Sequence, residues 1–173
     1  MADNPKRILI VEDNKLDARL LKDILEGRGY ETLQTGDGLE AINLAVANLP
    51  DLILMEIQLP EISGLELTRR LRGDDRSRRI PIVAVTAFAI GWHEREALDS
   101  GCDGYISKPI AIFGFLRTVE SFLSRFSPRF RQRMSTGRIV YMQLDGLEPV
   151  LLEDQPSVAA RSTRRSPMAT PMI

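Results

Sequence analysis

Five side chains that could do chemistry in this sequence stand at the ends of short apolar runs. Glu12 and Asp13 follow the first run, and Glu56 closes the third. Thr86 closes the fourth run, and Lys108 follows the fifth. Carboxylate oxygens suit Mg²⁺, whereas a hydroxyl and an ammonium group can bind phosphoryl oxygens. One charge at the end of a strand is usually only solvated, but this combination indicates a site that handles a phosphoryl group on a central carboxylate.

The apolar runs alternate with segments that have helical periodicity. Strands are predicted at residues 8–11, 31–35, 52–56, 82–86 and 104–107. One helix is predicted between a cap at Asn14 and a stop at Gly27, and a second ends at Leu49-Pro50. Three further helices are predicted at about 65–72, 92–100 and 112–125.

Alternating strands and helices predict a doubly wound α/β fold, in which right-handed crossovers build a five-stranded parallel sheet covered on both faces. In such a sheet, sites form beyond the carboxyl ends of the strands. We therefore expect the five side chains to converge on one edge of the sheet. The pattern does not determine the order of the strands.

Composition narrows the function classes. The 173 residues suit one domain with an extension, and the formal net charge of -1 gives no overall attraction to nucleic acid or anionic lipid. The single cysteine, Cys102, rules out an internal disulfide, and we expect it to be a small buried or half-buried residue. The only histidine, His93, is expected at the surface. No apolar run approaches the length of a membrane span, so a soluble cytoplasmic protein is expected.

Charge and composition change near residue 126. Residues 1–126 contain 16 Lys and Arg and 20 Asp and Glu, whereas residues 127–173 contain 7 and 4. We therefore divide the chain into a mildly acidic domain at 6–126 and a basic, largely disordered tail at 127–173. The tail has no helix-turn-helix pattern, which argues against a DNA-binding output domain.

Four segments resemble the receiver domain of response regulators in two-component signalling. They are the stretch ending Glu12-Asp13-Asn14, the block 51–60, Val85-Thr86-Ala87 and the stretch from Tyr105 to Lys108-Pro109. Residues 30–35 and 58–64 look especially like the single-domain DivK-type regulators. The resemblance covers roughly residues 6–126, and it implies the CheY-like, flavodoxin-like strand order 2-1-3-4-5.

The resemblance also implies a metal site and a cofactor. Glu12 and Asp13 would be metal-binding acids, with the backbone carbonyl of Gln58 as another ligand. Glu56 would stand at the phosphoacceptor position beside the metal ion. The expected cofactor is Mg²⁺, and the expected partner is a histidine kinase or a histidine phosphotransferase.

The remaining implied roles belong to the signalling switch. Thr86 and Tyr105 would form a pair that moves together, although Tyr105 by itself reads equally well as a half-buried strand aromatic. Lys108 would contact the phosphoryl group, and its bond to Pro109 would be cis. The expected protein is a binding switch and not an enzyme, with a homodimer through the fourth and fifth helices as a possible assembly.

The departure from the family pattern is Glu56, because receivers have aspartate at this position. Asp51 cannot substitute, since it lies about 16 Å back along the strand. The extra methylene should carry the carboxylate of Glu56 toward Thr86 and Lys108. That displacement disfavours in-line attack on a phosphohistidine, yet it partly imitates a phosphorylated aspartate.

Several interpretations of Glu56 stay open at this level. We favour a phosphorylation-independent receiver biased toward its active-like state. The chain could also have lost its acceptor while remaining switchable by other means, or it could still accept a phosphoryl group. An engineered aspartate-to-glutamate change would give the same sequence. The clustered carboxylates predict some remaining Mg²⁺ affinity, weakened by Glu56.

Overall fold

The structure, a computed structural model, describes residues 4–87 and 91–125, without the side chains of 91–94 and 125. Five strands alternate with five helices in this part of the chain. The strands are β1 (Arg7–Val11), β2 (Glu31–Thr35), β3 (Leu52–Met55), β4 (Ile82–Thr86) and β5 (Gly104–Ser107). The helices are α1 (Lys15–Glu26), α2 (Gly38–Asn48), α3 (Gly64–Gly73), α4 (Gly91–Asp99) and α5 (Ile112–Arg125).

The strands form one parallel sheet in the order β2-β1-β3-β4-β5. This confirms the doubly wound α/β fold and the strand order that the resemblance implied. The bounds of β2, β4, β5 and α5 agree with the sequence prediction, and the other predicted bounds differ by about one residue. The predicted tail lies outside the described residues, as does the side chain of His93.

Alternation along the strands divides the core into two apolar layers. Leu9 and Val11 of β1 point into the layer beneath α2, α3 and α4. Ile8 and Ile10 point into the layer beneath α1 and α5. Successive side chains of a strand face opposite sides of the sheet, so one continuous apolar run supplies both layers.

Side-chain caps determine where the first two helices begin. The Asn14 side chain accepts hydrogen bonds from the backbone N–H groups of Leu16 and Asp17, as predicted for a helix cap. Asp37 caps α2 in the same way. The cap at Asn14 turns the chain into α1 directly after β1, which brings the first turn of α1 to the carboxyl edge of the sheet.

Strand β3 ends one residue earlier than predicted, at Met55. Glu56 therefore lies just past the strand and not within it. Its side-chain oxygen Oε1 accepts hydrogen bonds from the N–H groups of Ile57 at 2.8 Å and Gln58 at 3.1 Å. These contacts favour a turn at Glu56, because the next two N–H groups face its carboxylate instead of a neighbouring strand.

Arg72 joins several segments at the opposite edge of the sheet. Its guanidinium donates to Asp103 at 2.6 Å and to the carbonyl oxygens of Gly101 and Ile80 at 2.8 and 2.7 Å. Asp103 also accepts from the N–H of Ile82 at 2.8 Å. This cluster connects the end of α3 to the starts of β4 and β5.

None of the helices in residues 4–87 and 91–125 is long and apolar enough to cross a lipid bilayer. The longest, α5, has 14 residues and carries charged side chains such as Arg117 and Glu120.

Gly64 is required where α3 approaches the loop after β3. A Cβ atom there would overlap the carbonyl oxygen of Glu56 and lie 3.0 Å from Cα of Ile57. Gly64 also donates its N–H to the Ile57 carbonyl oxygen at 2.8 Å. The backbone that carries Glu56 is therefore held against the start of α3.

We expect Gly64→Ala to lower the free energy of unfolding by about 2–3 kcal/mol, because either α3 or the Glu56 backbone must move. Gly73→Ala is the matched control, since a Cβ at Gly73 meets no atom within 4 Å. The control should be neutral or stabilising by up to about 1 kcal/mol. Urea unfolding of both variants measures this, and equal midpoints would contradict the close approach.

Cys102 is buried, in agreement with the sequence prediction. Its sulfur lies 3.6 Å from the hydroxyl oxygen of Thr68. Burial raises the pKa of the Cys102 thiol from 9.0 to about 11. The thiol therefore resembles a core residue more than a reactive group.

We expect native Cys102 to react with iodoacetamide at pH 8 at least about 100-fold more slowly than a free cysteine. The thiolate is the nucleophile, and a pKa higher by about two units leaves about 100-fold less of it. Mass spectrometry of timed samples measures the rate, with the same chain in urea as the control. Native labelling at the rate of the unfolded chain would show that the thiol is accessible.

Candidate functional site

Backbone hydrogen bonds hold the ends of four strands in two neighbouring pairs at the carboxyl edge of the sheet. The N–H of Glu56 donates to the Val11 carbonyl oxygen at 2.9 Å, so Glu56 is held beside the residue that precedes Glu12. The N–H of Lys108 donates to the Thr86 carbonyl oxygen at 2.8 Å. The predicted residues therefore gather because parallel strands end at a common edge.

The ammonium group of Lys108 lies at the centre of the site. Its Nζ donates to Glu12 Oε2 at 2.7 Å, to Asp17 Oδ2 at 2.8 Å and to Glu56 Oε2 at 2.8 Å. The Lys108 side chain is 14% exposed, and the side chains of Glu12 and Glu56 are still more buried, at 3% and 8% exposed. We call these four residues the Lys108 cage.

The two buried carboxylates have hydrogen bonds at both oxygens. Glu12 accepts from the N–H of Asn14 at 3.0 Å through Oε1, and from Lys108 through Oε2. Glu56 accepts from the N–H groups of Ile57 and Gln58 through Oε1, and from Lys108 through Oε2. Charge-assisted hydrogen bonds of this kind compensate for removing carboxylates from water.

The pKa values of the cage have opposing causes. Burial raises the pKa of Glu12 above 4.5, the charge of Glu56 adds to the rise, and the hydrogen bonds from Lys108 and Asn14 oppose it. For Lys108, burial lowers the pKa, but the hydrogen bonds to Asp17, Glu12 and Glu56 together outweigh burial and raise it. The ammonium form of Lys108 is therefore strongly favoured.

The other predicted site residues lie in or next to the strands that end at this edge. Asp13 and Gln58 are exposed, and Gln58 contributes its backbone N–H to Glu56. Thr86 is fully buried at the end of β4. Tyr105 is half-buried in β5 and packs against the layer beneath α2, α3 and α4. The Lys108–Pro109 bond is cis, as the resemblance implied.

Asp17 is the site residue that sequence reasoning missed. The sequence placed it in the first turn of α1, where an acidic residue is explained by the helix dipole alone. The available signal was position, because α1 begins directly after the acidic pair at the end of β1. The structure adds a 2.8 Å ion pair with Lys108, 91 residues away in the chain.

The sequence model of the family described as response regulator receiver domain matches residues 8–120 of this chain. The chain belongs to the response regulator receiver family. Its curated relatives include the polar-differentiation response regulator DivK of Brucella anthropi, 53% identical over 119 residues. That match covers 69% of this chain and 97% of the relative. DivK of Brucella abortus strain 2308 is 52% identical over 118 residues, 68% of this chain and 96% of that protein.

Solved structures agree with this assignment. A putative response regulator from Chloroflexus aurantiacus has a TM-score of 0.68 and 30% identity, over 70% of this chain and all of that one. The receiver domain of a sensor histidine kinase from Pseudomonas aeruginosa has a TM-score of 0.66 and 30% identity, over 70% of this chain and 99% of that one. That structure has a magnesium ion coordinated in its active site cleft. This chain is therefore a DivK-like receiver domain of two-component signalling.

The side chains of this receiver do not fit Mg²⁺ in the arrangement that they adopt. Carboxylate oxygens are suitable ligands, but both oxygens of Glu12 and of Glu56 are already hydrogen-bonded. Among residues 4–87 and 91–125, no group of three or more acidic, cysteine or histidine side chains is placed to hold a metal ion. The cationic group between the carboxylates is Lys108.

We expect Lys108→Met to lower the free energy of unfolding by about 2 kcal/mol or more at pH 7, because three carboxylates lose their cation. The loss should be smaller at pH 5. Without Lys108 the pKa of Glu12 rises further above its unfolded value, so protonation relieves the repulsion as the pH falls. In the parent chain the pKa of Lys108 is raised above its ordinary value of 10.5. Its contribution to the free energy of unfolding is therefore fully present below about pH 10 and is lost only in strong alkali.

Lys6→Met is the matched control for this prediction. Lys6 pairs with Asp51 at 2.8 Å, but their side chains are 41% and 36% exposed. An exposed pair contributes less than about 1 kcal/mol, so the control should lose little. Urea unfolding at pH 5 and pH 7 measures both variants. Equal losses, or a Lys108→Met loss that does not change with pH, would contradict the importance of the cage.

Proposed function

We propose that this protein is a phosphorylation-independent, single-domain response regulator that acts as a protein-binding switch. The observation that carries the proposal is the 2.8 Å contact between Glu56 Oε2 and Lys108 Nζ. Glu56 stands where receivers have the aspartate that accepts the phosphoryl group. The carboxylate of Glu56 therefore pairs with Lys108, the lysine that would otherwise bind the negatively charged phosphoryl group.

The hydrogen bonds of Glu56 argue against efficient phosphoryl transfer to it. An attacking oxygen needs an open approach and in-line geometry, and small displacements are costly. Glu56 Oε1 accepts two backbone N–H groups, Oε2 is bound to Lys108, and the side chain is 8% exposed. Attack would require breaking at least one of these interactions.

The imitation of a phosphorylated aspartate is partial. A phosphoryl group carries a charge of about -1.5 to -2 and three acceptor oxygens, whereas Glu56 has one charge and two oxygens. Thr86 and Tyr105 are proposed as the switch pair, with Thr86 buried at the end of β4 and Tyr105 half-buried in β5. We infer a state biased toward the active-like form, short of the full response to phosphorylation.

The proposal extends to cofactor and partners. Mg²⁺ would use Glu12, Asp13, Glu56 and the Gln58 carbonyl oxygen, and we infer that this affinity is weakened because Glu12 and Glu56 are engaged by Lys108. The protein is proposed to be cytoplasmic, and its proposed partner is a histidine kinase or histidine phosphotransferase. It would bind this partner without catalysing a reaction. A homodimer through α4 and α5 is a further proposal.

The test is intact mass after incubation with acetyl phosphate and Mg²⁺, comparing the parent chain with Glu56→Asp. We expect the aspartate variant to gain one phosphoryl group and the parent chain to gain none. Fluorescence of Trp92, the only tryptophan, is recorded on the same samples as a second reporter. The parent signal should not change with phosphoryl donor.

A Glu56→Gln variant is the control, because it retains the length of the side chain and removes its charge. It should gain no phosphoryl group. It should also leave the active-like state, so that its Trp92 fluorescence differs from that of the parent chain. If the parent chain itself is phosphorylated and its fluorescence shifts, the protein is an ordinary phosphoacceptor in a histidine-kinase relay, and the proposal is wrong.

A further inference from the structure

We propose that Lys108 is the resident cation of this site, and that Asp17 is a positioning residue that holds it there and keeps Mg²⁺ out. The inference rests on the proposed function for the identity of the site, but it concerns the binding of metal and not the transfer of phosphoryl groups. Its central observation is the placement of three carboxylates within 2.8 Å of one ammonium nitrogen.

The ammonium group satisfies the three carboxylates in the way a bound cation would. A lysine ammonium has three N–H donors, and here each of the three carboxylates accepts a hydrogen bond from it through one oxygen. The distances from Nζ are 2.7 Å to Glu12, 2.8 Å to Asp17 and 2.8 Å to Glu56. The cage thereby reduces the repulsion among its own carboxylates without an external ion.

Mg²⁺ would have to dismantle this arrangement before it could bind. The ion demands near-octahedral geometry at about 2.0–2.1 Å and gives up its water reluctantly. Its ligands Glu12 and Glu56 would first have to release Lys108, which is 14% exposed. The competition is therefore between an ammonium group already in place and a strongly hydrated ion.

Asp17 decides how firmly Lys108 is held. It comes from α1, whereas Glu12 and Glu56 follow strands of the sheet, so it approaches the ammonium from a separate element. Its side chain is 36% exposed, which makes it the most accessible carboxylate of the cage. A change at Asp17 should therefore loosen Lys108 without disrupting the buried core.

Removing Asp17 has opposite consequences under the two possible roles. If Asp17 positions Lys108, Asp17→Asn frees the lysine and Mg²⁺ binds more tightly. If Asp17 is only one more negative charge near a metal site, its removal makes Mg²⁺ bind more weakly. The direction of the change therefore separates the two roles, and it cannot be produced by a general loss of stability.

The experiment is a titration of the full chain with MgCl₂ at constant ionic strength. It is followed by NMR, through the chemical shifts of the backbone amides of Asn14 and Gln58. These N–H groups donate to Glu12 and Glu56, so they report directly on both carboxylates. No phosphoryl donor is present. The variants are Asp17→Asn, Asp17→Glu as the conservative exchange, and Lys108→Met.

We expect the parent chain to bind Mg²⁺ with a Kd above about 10 mM, which the initial slope of the titration measures. Asp17→Asn should bind about three- to fivefold more tightly than the parent, the fold-change that corresponds to one partly exposed ion pair. Asp17→Glu should stay close to the parent. Lys108→Met should gain more than tenfold, because all three contacts disappear.

Asp23→Asn is the control for charge on the same helix. Asp23 pairs only loosely with Arg19, at 3.7 Å, and both side chains are largely exposed. It should leave Mg²⁺ binding unchanged or slightly weaker. If Asp17→Asn weakens binding or leaves it as in the parent, or if the parent Kd lies below about 10 mM, the proposal is overturned.

Failure here and failure of the proposed function are distinguishable. A parent chain that binds Mg²⁺ tightly but gains no phosphoryl mass would remove the cage inference and leave the phosphorylation-independent receiver intact. A parent chain that excludes Mg²⁺ yet gains phosphoryl mass would do the reverse.

Discussion

The contact of one ammonium group with three carboxylates is the interaction on which the site of this receiver depends. Taking charged groups out of water is costly, and a buried ion pair stabilises a protein only when the remaining hydrogen bonds are satisfied. Here they are satisfied: Glu12 and Glu56 have partners at both oxygens, and Lys108 uses its donors on Glu12, Asp17 and Glu56. The same contacts leave neither carboxylate oxygen of Glu12 or Glu56 without a hydrogen-bond partner.

A single methylene group accounts for much of this arrangement. The glutamate at position 56 is long enough for one oxygen to turn back to the N–H groups of Ile57 and Gln58 while the other reaches Lys108. The side chain thereby connects the loop after β3 to the loop after β5. These two segments are therefore joined by a residue of the chain itself.

A cluster of charged side chains joins the secondary-structure elements at each of the two edges of the sheet. At its carboxyl edge the Lys108 cage joins the ends of β1, β3 and β5 to the start of α1. At its opposite edge the guanidinium of Arg72 joins α3 to the starts of β4 and β5 through Asp103 and neighbouring carbonyl oxygens. Between them lie fully buried strands such as Ile82–Thr86, whose apolar side chains leave little freedom for the strand ends to shift.

The amino-acid sequence by itself determined the fold class and most of the site. Apolar runs of strand length alternating with amphipathic helices predicted the α/β sheet, and polar residues at the run ends predicted that Glu12, Glu56, Thr86 and Lys108 would gather at one edge. Those inferences succeed because periodicity and strand polarity are local properties. The strand order came from the family resemblance, since no local pattern encodes it.

Only the tertiary structure decided how the gathered charges pair. The sequence pattern suggested that Glu56 projects toward Lys108, but it did not reveal that Asp17 joins them or that Glu12 also pairs with Lys108. Residues 17 and 108 are far apart in the chain, and their contact depends on the angle at which α1 leaves β1 and on the reach of a lysine side chain. Such contacts follow from the packing of separate elements, which residue type and spacing along the chain do not specify.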